Sequence, residues 1–200
     1  MTTILGLTGG IASGKSTADI FFREKHIPVI DCDQIAHDIL NVGNKGYELV
    51  RKQFGHQIIN KDQTINRSVL GIIVFNDEKQ LALLNKITHP LIFKEIQAKI
   101  ALNKVAKKPL IVVDAPVLFE ANGQKYCDCT LLIAVPESVQ LKRLMLRDHL
   151  SKDAALKRIH SQMPLSQKEK LADFVINNVG TKQDLNLKLD QLLLKIKEEY

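Results

Sequence analysis

ILGLTGGIASGKST, residues 4–17, decides how the rest of this chain is read. Its first half is a short apolar run that stops at glycines, the pattern of a strand buried on both faces. Its second half fits G-x-x-x-x-G-K-[ST] through Gly9, Gly14, Lys15 and Ser16. Strand, glycine-rich loop and helix in that order place successive backbone N–H groups and a helix N-terminus around a phosphate. Gly10, Ile11, Ala12, Ser13 and Gly14 form the expected wrap, and Lys15, Ser16 and Thr17 open the helix. Lys15 neutralises phosphate oxygens, and the Ser16 hydroxyl can ligate Mg²⁺. A dinucleotide loop would need glycine at position 11, where this chain has Ile11, and it has no use for the lysine.

Outward from the loop, strands alternate with helices. IPVID (27–31), PLIVVDAP (109–116), CTLLIAVP (129–136) and ADFVINN (172–178) read as four further strands. The first helix is expected over residues 15–24, with Ile20 and Phe21 facing inward. A second is expected over 33–40, with Asp33 able to cap it. Short helices joined by loops fill residues 42–88, and a long helix is expected from His89–Pro90 to about 106. SVQLKRLMLRD, SKDAALKRIHSQMP and LNLKLDQLLLKIKEE complete the helices. Apolar strands alternating with helices imply an α/β fold with a parallel sheet covered on both faces. The insert of about 80 residues between the second and third strands is far longer than a crossover needs, and is read as a substrate-side subdomain.

Composition narrows the function. The chain has 200 residues, 45% of them apolar and 25% charged, enough for a proper core. No apolar stretch approaches a membrane span, and the start lacks a basic leader, so a cytoplasmic protein is expected with no membrane partner. The three cysteines, Cys32, Cys127 and Cys129, are read as free thiols rather than metal ligands. A net charge of +6 favours anionic partners, either nucleic acid or a small polyphosphate. With 5% aromatic residues and no Trp, no aromatic RNA-binding signature is present, and the scattered lysines read as solvated helix faces.

Carboxylates and arginines at the strand ends carry the chemistry. Asp114, ending the third strand, is placed to order a Mg²⁺ shell, or else serves as a cap or turn residue. Asp31 and Asp33 share one face of an extended chain beyond the second strand. One of them can accept a hydroxyl proton during phosphoryl transfer; the alternative is a structural role. Arg143 and Arg147 lie four apart on one helix face and, with Arg158, could close over a triphosphate, although lone helix arginines are usually solvated. A GTP switch would carry N-K-x-D; the four Asn-Lys pairs are followed at that place by Tyr47, Gln63, Thr88 and Ala106. A motor ATPase needs elements this chain is too short to house. A small kinase with an insert and a lid satisfies all the motifs.

VIDCDQIAH (29–37), FGHQIINKDQTINRSVLGIIVF (54–75), ITHPLI (87–92), VVDAPVLFE (112–120), LKRLMLRD (141–148), RIHSQMP (158–164) and ADFVINNVG (172–180), together with the phosphate loop, make the chain resemble the dephospho-coenzyme A kinase family along nearly its whole length. The resemblance implies a P-loop NTPase fold with a five-stranded parallel sheet, a helical substrate domain and an arginine-bearing lid. It implies ATP-dependent phosphorylation of the ribose 3′-hydroxyl of dephospho-coenzyme A, with Mg²⁺. The expected division is a nucleotide core over 1–41, 109–146 and 168–200, a substrate domain over 42–108, and a lid over 147–167. Asp33 matches the family's proposed base, and Arg143 and Arg147 match arginines that engage ATP phosphates. Arg67 and His89 match substrate-side positions, and Asn178 matches an asparagine near the adenine. Plainer roles stay open for the last three: a surface ion pair, a helix start and a turn. His37 stands where the family commonly has arginine, Cys32 where it has alanine, Gln63 where a turn glycine is common, and Asn177 where an acid is usual. A monomer is expected, with oligomerisation left open. Two other readings are a kinase acting on a different nucleoside or nucleotide, and an ATP-dependent nucleic-acid-binding module; the intact D-x-D and lid arginines argue against the latter.

Overall fold

β1 (Thr3–Gly9) is buried at all seven of its residues, which is possible only for the central strand of a covered sheet. The computed structural model describes residues 1–200. They divide into two compact units, Met1–Ile30 with Asn103–Tyr200, and Asp31–Leu102.

In the first unit β1 pairs in parallel with β3 (Leu110–Asp114) on one side and β4 (Cys129–Ala134) on the other. β5 (Phe174–Asn177) pairs with β4, and β2 (Val29–Asp31) closes the opposite edge, so the sheet order is β2-β3-β1-β4-β5. The connection from β1 runs to β2 on one side, and that from the adjacent β3 runs to β4 on the other, so β1 and β3 flank a crevice at the carboxyl ends of the strands where ligands of such sheets bind. The register sets Leu7 beside Asp114 at that end.

One face of the sheet is covered by α1 (Lys15–Glu24) and α9 (Lys182–Glu199). Ala18, Phe21 and Phe22 of α1 meet Leu185, Leu189, Leu192 and Ile196 of α9 over Leu5, Leu7, Leu131 and Ile133. The inward stripe of α1 therefore includes Phe22, whereas Ile20, expected inside, is 45% exposed. Positions 18, 21 and 22 are i, i+3 and i+4, and the loop geometry before Lys15 sets which such stripe meets the sheet. Thr181 and Asp184 form a reciprocal capping box at the start of α9. α6 (Glu137–Asp148) and α7 (Lys152–His160) share a small cluster of Leu144, Ala155 and Ile159, with Leu141 and Met145 partly buried against it. SKDAALKRIHSQMP is thus one helix and a connection, and α8 (Leu165–Leu171) follows. Burial pushes the Cys127 and Cys129 thiols up to about 12, and none of the three cysteines is in a disulfide.

The second unit is helical. α2 (Cys32–Asp38) is capped by Asp31, whose carboxylate accepts the Gln34 N–H at 2.9 Å. α3 (Lys45–Phe54), a 3-10 turn (His56–Ile58) and α4 (Arg67–Phe75) enclose Tyr47, Val50, Phe54, Ile58, Leu70 and Val74. Asn66 caps α4 by accepting the Val69 N–H. Gln63, at the position of a common glycine, has φ 68; its carbonyl accepts the Tyr47 hydroxyl at 2.6 Å, which helps hold the left-handed turn. α5 runs unbroken over Glu78–Val105 with Pro90 inside it, so the helix does not begin at His89–Pro90. An interior proline costs about 3 kcal/mol. Packing on both sides of it offsets this: Leu81, Leu84 and Ile87 join the α3–α4 cluster, while Ile96 and Ile100 are buried further along.

No helix is long and apolar enough to cross a membrane. Leu189, fully buried under the sheet, and Leu194, 63% exposed on the same helix, form a matched pair. Leu189→Ala is expected to cost about 2–5 kcal/mol in urea unfolding, and Leu194→Ala less than about 0.5 kcal/mol.

Candidate active site

β1 ends at Gly9 and α1 starts at Lys15, and the five residues between them make the turn. Gly14 has φ 95, and a Cβ there would collide with the Asn178 amide. Gly9 is needed for space instead, since a Cβ there would meet the Ser13 hydroxyl and the Ile133 carbonyl. Ala12 also takes a left-handed φ of 58, and the Ser13 N–H closes the turn on the Gly10 carbonyl at 3.1 Å. No side chain caps α1, so its first amides and the positive end of its dipole face the loop.

Lys15 and Asp114 come together across the sheet. The Lys15 Nζ donates to both carboxylate oxygens, at 2.7 and 2.8 Å, with side chains 19% and 7% exposed. Ser16 is exposed at the first turn of α1, and Thr17 donates its N–H to the Gly14 carbonyl.

Asn178 supports the loop from behind. Its backbone N–H continues the sheet onto the Ala134 carbonyl, and its buried side-chain amide donates to the Ser13 carbonyl at 2.8 Å. Its own carbonyl accepts Arg143 Nη2 at 3.0 Å. A single chain of contacts therefore runs from α6 through the end of β5 to the phosphate loop. Arg147 belongs to a different group. It is ion-paired with Asp148 at 2.7 Å, and Arg158 reaches the same carboxylate at 2.8 Å. The Arg147 hydrogen bond holds the Asp148 carboxyl below its ordinary value and raises that of the guanidinium.

In the helical unit, Asp33 sits exposed in the first turn of α2. The N-cap role that the sequence allowed it falls to Asp31. His37 closes the same helix, and its carbonyl accepts Arg67 Nη2 at 2.9 Å. Arg67 is thus brought to His37 by a hydrogen bond rather than to a surface carboxylate. His89 lies mid-helix in α5, edge-on to Phe93 with ring centroids 6.1 Å apart.

Several residues escaped the sequence reading. Gln140 is buried and reaches the Ile11 carbonyl; Gln162 accepts the Ile11 N–H. Lys168, in the polar run SQKEK, is fully buried and bonds Glu120 and the Pro116 carbonyl, both at 2.9 Å. No spacing rule links positions 11, 140 and 162. The only signal for Glu120 was its place in VVDAPVLFE.

A family model for dephospho-CoA kinase matches residues 3–184. A dephospho-CoA kinase of Lactobacillus acidophilus is 50% identical over 201 residues, covering 100% of both chains. One from Carboxydothermus hydrogenoformans is 46% identical over 194 residues, covering 97% of this chain and 94% of its own. Among solved structures, dephospho-CoA kinase from Campylobacter jejuni superposes with a TM-score of 0.75 at 31% identity, covering 99% of this chain and 98% of its own. A shikimate kinase from Acinetobacter baumannii, at 16% identity and a TM-score of 0.53, shares the fold.

Two left-handed glycines separate loop function from backbone strain. Gly43 has φ 89 with open space around its Cβ position, so Gly43→Ala is expected to cost about 1–2 kcal/mol and leave nucleotide binding intact. Gly14→Ala adds the collision with Asn178 and is expected to abolish ATP binding by equilibrium titration.

Proposed function

The chain belongs to the dephospho-CoA kinase family, and on that premise we propose how its residues share the transfer of a phosphoryl group from ATP to the ribose 3′-hydroxyl of dephospho-coenzyme A. The observation that carries the assignment is the meeting of Lys15 and Asp114 at the mouth of an uncapped helix, where the sheet order opens its crevice. Lys15 and the amides of residues 14–16 grip the phosphates and hold the γ-phosphoryl group in line, while the Ser13 and Thr17 amides fix the loop and the first helical turn. Gly10, Ile11 and Ala12 shape the wrap. Ser16 and Asp114 supply a hydroxyl and a carboxylate, hard oxygen donors that suit Mg²⁺ bound chiefly through phosphates. When bound there, Mg²⁺ neutralises charge on the β- and γ-oxygens.

Asp33 takes the proton as the 3′-oxygen attacks phosphorus and ADP leaves. Its place in the first turn of α2 and its exposed position support this part. Arg143 and Arg147 stabilise the charge that develops on the transferring group. Arg147 does so from the lid, residues 147–167, after exchanging Asp148 for phosphate. Asn178 serves the nucleotide by fixing the loop and standing beside the adenine site. His37, Arg67 and His89 contact the acceptor, and the Arg67 bond to the His37 carbonyl supports a shared role for the first two. The core over 1–41, 109–146 and 168–200 holds ATP, and 42–108 holds the acceptor. Cysteines outside any disulfide support a reducing, cytoplasmic setting.

An ADP-release assay with Mg·ATP and dephospho-coenzyme A, with the product identified by mass, tests the assignments. Asp33→Asn is expected to lower kcat by about 10²–10⁴ while ATP affinity changes less than about twofold; normal turnover would sink the base assignment. His37→Arg restores a planar, multi-donor cation and is expected to lower KM for dephospho-coenzyme A without changing KM for ATP.

A further inference from the structure

The geometry points to Gln162 as a positioning residue that latches the end of the lid segment onto the phosphate loop and so keeps water out of the transfer. This rests on the kinase reading and adds a residue to it. The peptide units on either side of Ile11 are both held: Gln162 Oε1 accepts the Ile11 N–H at 2.8 Å, and Gln140 Nε2 donates to the Ile11 carbonyl at 2.8 Å. Gly10, just before it, has no room for a Cβ because the Gln140 amide fills that space and Leu165 stands 3.0 Å away. The Ile11 and Ala12 side chains pack against the Leu144–Ala155–Ile159 cluster that joins α6 to α7. The shoulder of the loop is therefore a docking point for the chain between α7 and α8, separate from the amides that face phosphate.

The far side of that connection is anchored as firmly. The Met163 N–H donates to Glu120 at 3.1 Å, and Glu120 pairs with Lys168. Lys168, with no exposed surface, also donates to the Pro116 carbonyl, which accepts the Thr8 hydroxyl as well. Burying an ammonium costs several kcal/mol unless its partners are well placed, and breaking such a pair costs more than forming it returns. Residues 162–168 are thus bound to the turn after Asp114 at one end and to Ile11 at the other.

The two ends differ in strength. Lys168 is buried with a charged partner, whereas Gln162 is half-buried and makes one neutral hydrogen bond beside a cavity of about 490 Å³ lined in part by Gly10, Gln140, Gln162 and Leu165. The room next to it lets the glutamine swing away once that bond is lost. Lys168 is the fixed pivot and Gln162 the latch. With the latch open, α7 and its arginine are held on the loop less tightly, and water competes with the 3′-hydroxyl for the γ-phosphoryl group, giving ADP and inorganic phosphate.

The test compares Gln162→Met, of similar length but without the acceptor, Gln162→Ala, which empties the site, and Gln162→Glu, which keeps a carbonyl-type acceptor. Coenzyme A formation, phosphate release without acceptor, and equilibrium ATP binding are measured on each. Gln162→Met and Gln162→Ala are expected to lower kcat for coenzyme A about 3- to 10-fold, the worth of one neutral hydrogen bond, with the ATP dissociation constant within about twofold. Their ratio of hydrolysis to transfer rises, and Gln162→Glu recovers toward wild type. A global loss of structure would lower both reactions together and leave the ratio unmoved. An unchanged ratio in Met and Ala variants that still bind ATP within about twofold of wild type, or a Glu variant no better than Met, overturns the proposal. Wild-type protein that makes no coenzyme A would count instead against the kinase reading.

Discussion

The parallel register between β1 and β3 is the constraint on which the site depends. It sets Leu7 beside Asp114, so the strand that leads into the phosphate loop and the strand that ends in a carboxylate finish side by side. Lys15 then needs only its own length to reach both oxygens of Asp114. A two-residue slip would carry the carboxylate about 6.6 Å along the strand direction and out of reach. The slip is prevented by burial on both faces: Leu5, Leu7, Val112, Leu131 and Ile133 each sit at 0% exposure and would all have to repack.

Around that register the protein surrounds the loop with contacts that leave its phosphate-facing amides open. Asn178 holds the Ser13 carbonyl, and Gln140 and Gln162 hold the carbonyl and the N–H of Ile11. Each uses a backbone group that does not point at the ligand. Such preorganisation matters because phosphoryl transfer asks little covalent work of protein groups and depends on charges already in place. The arginines are arranged with the same economy of motion. Arg143 is oriented by the Asn178 carbonyl, while Arg147 and Arg158 share Asp148.

The helical unit shows where pattern reading stops short. Pro90 looked like a helix start because proline suits a first turn, yet it lies inside a 28-residue helix. Contacts before and after it outweigh the lost hydrogen bond, and those contacts come from α3 and α4, distant in sequence from the proline. In the sequence either Asp31 or Asp33 could take a proton, and Asp33 was the one expected to cap the second helix if it did not. The chain turns helical at Cys32, which makes Asp31 the cap and places Asp33 in the first turn. Ile20, expected inside, is exposed for a similar reason: helical periodicity sets the width of an apolar stripe, and the sheet decides its rotation.

The amino-acid sequence by itself determined the alternation of strands and helices, the phosphate loop and the family, because these are local patterns. A buried strand must be apolar throughout, a tight loop must have glycine at φ 95, and a kinase must keep lysine, hydroxyl and carboxylates at set places. Only the tertiary structure decided which carboxylate meets Lys15, what holds Ile11, and why a lysine in a polar run lies fully buried. Those are pairings between residues more than 40 positions apart, up to 151 for Gln162 and Ile11. They form because the folded sheet brings strand ends and helix connections to one rim, and buried polar groups must then find partners there. No local pattern in the sequence carries that information.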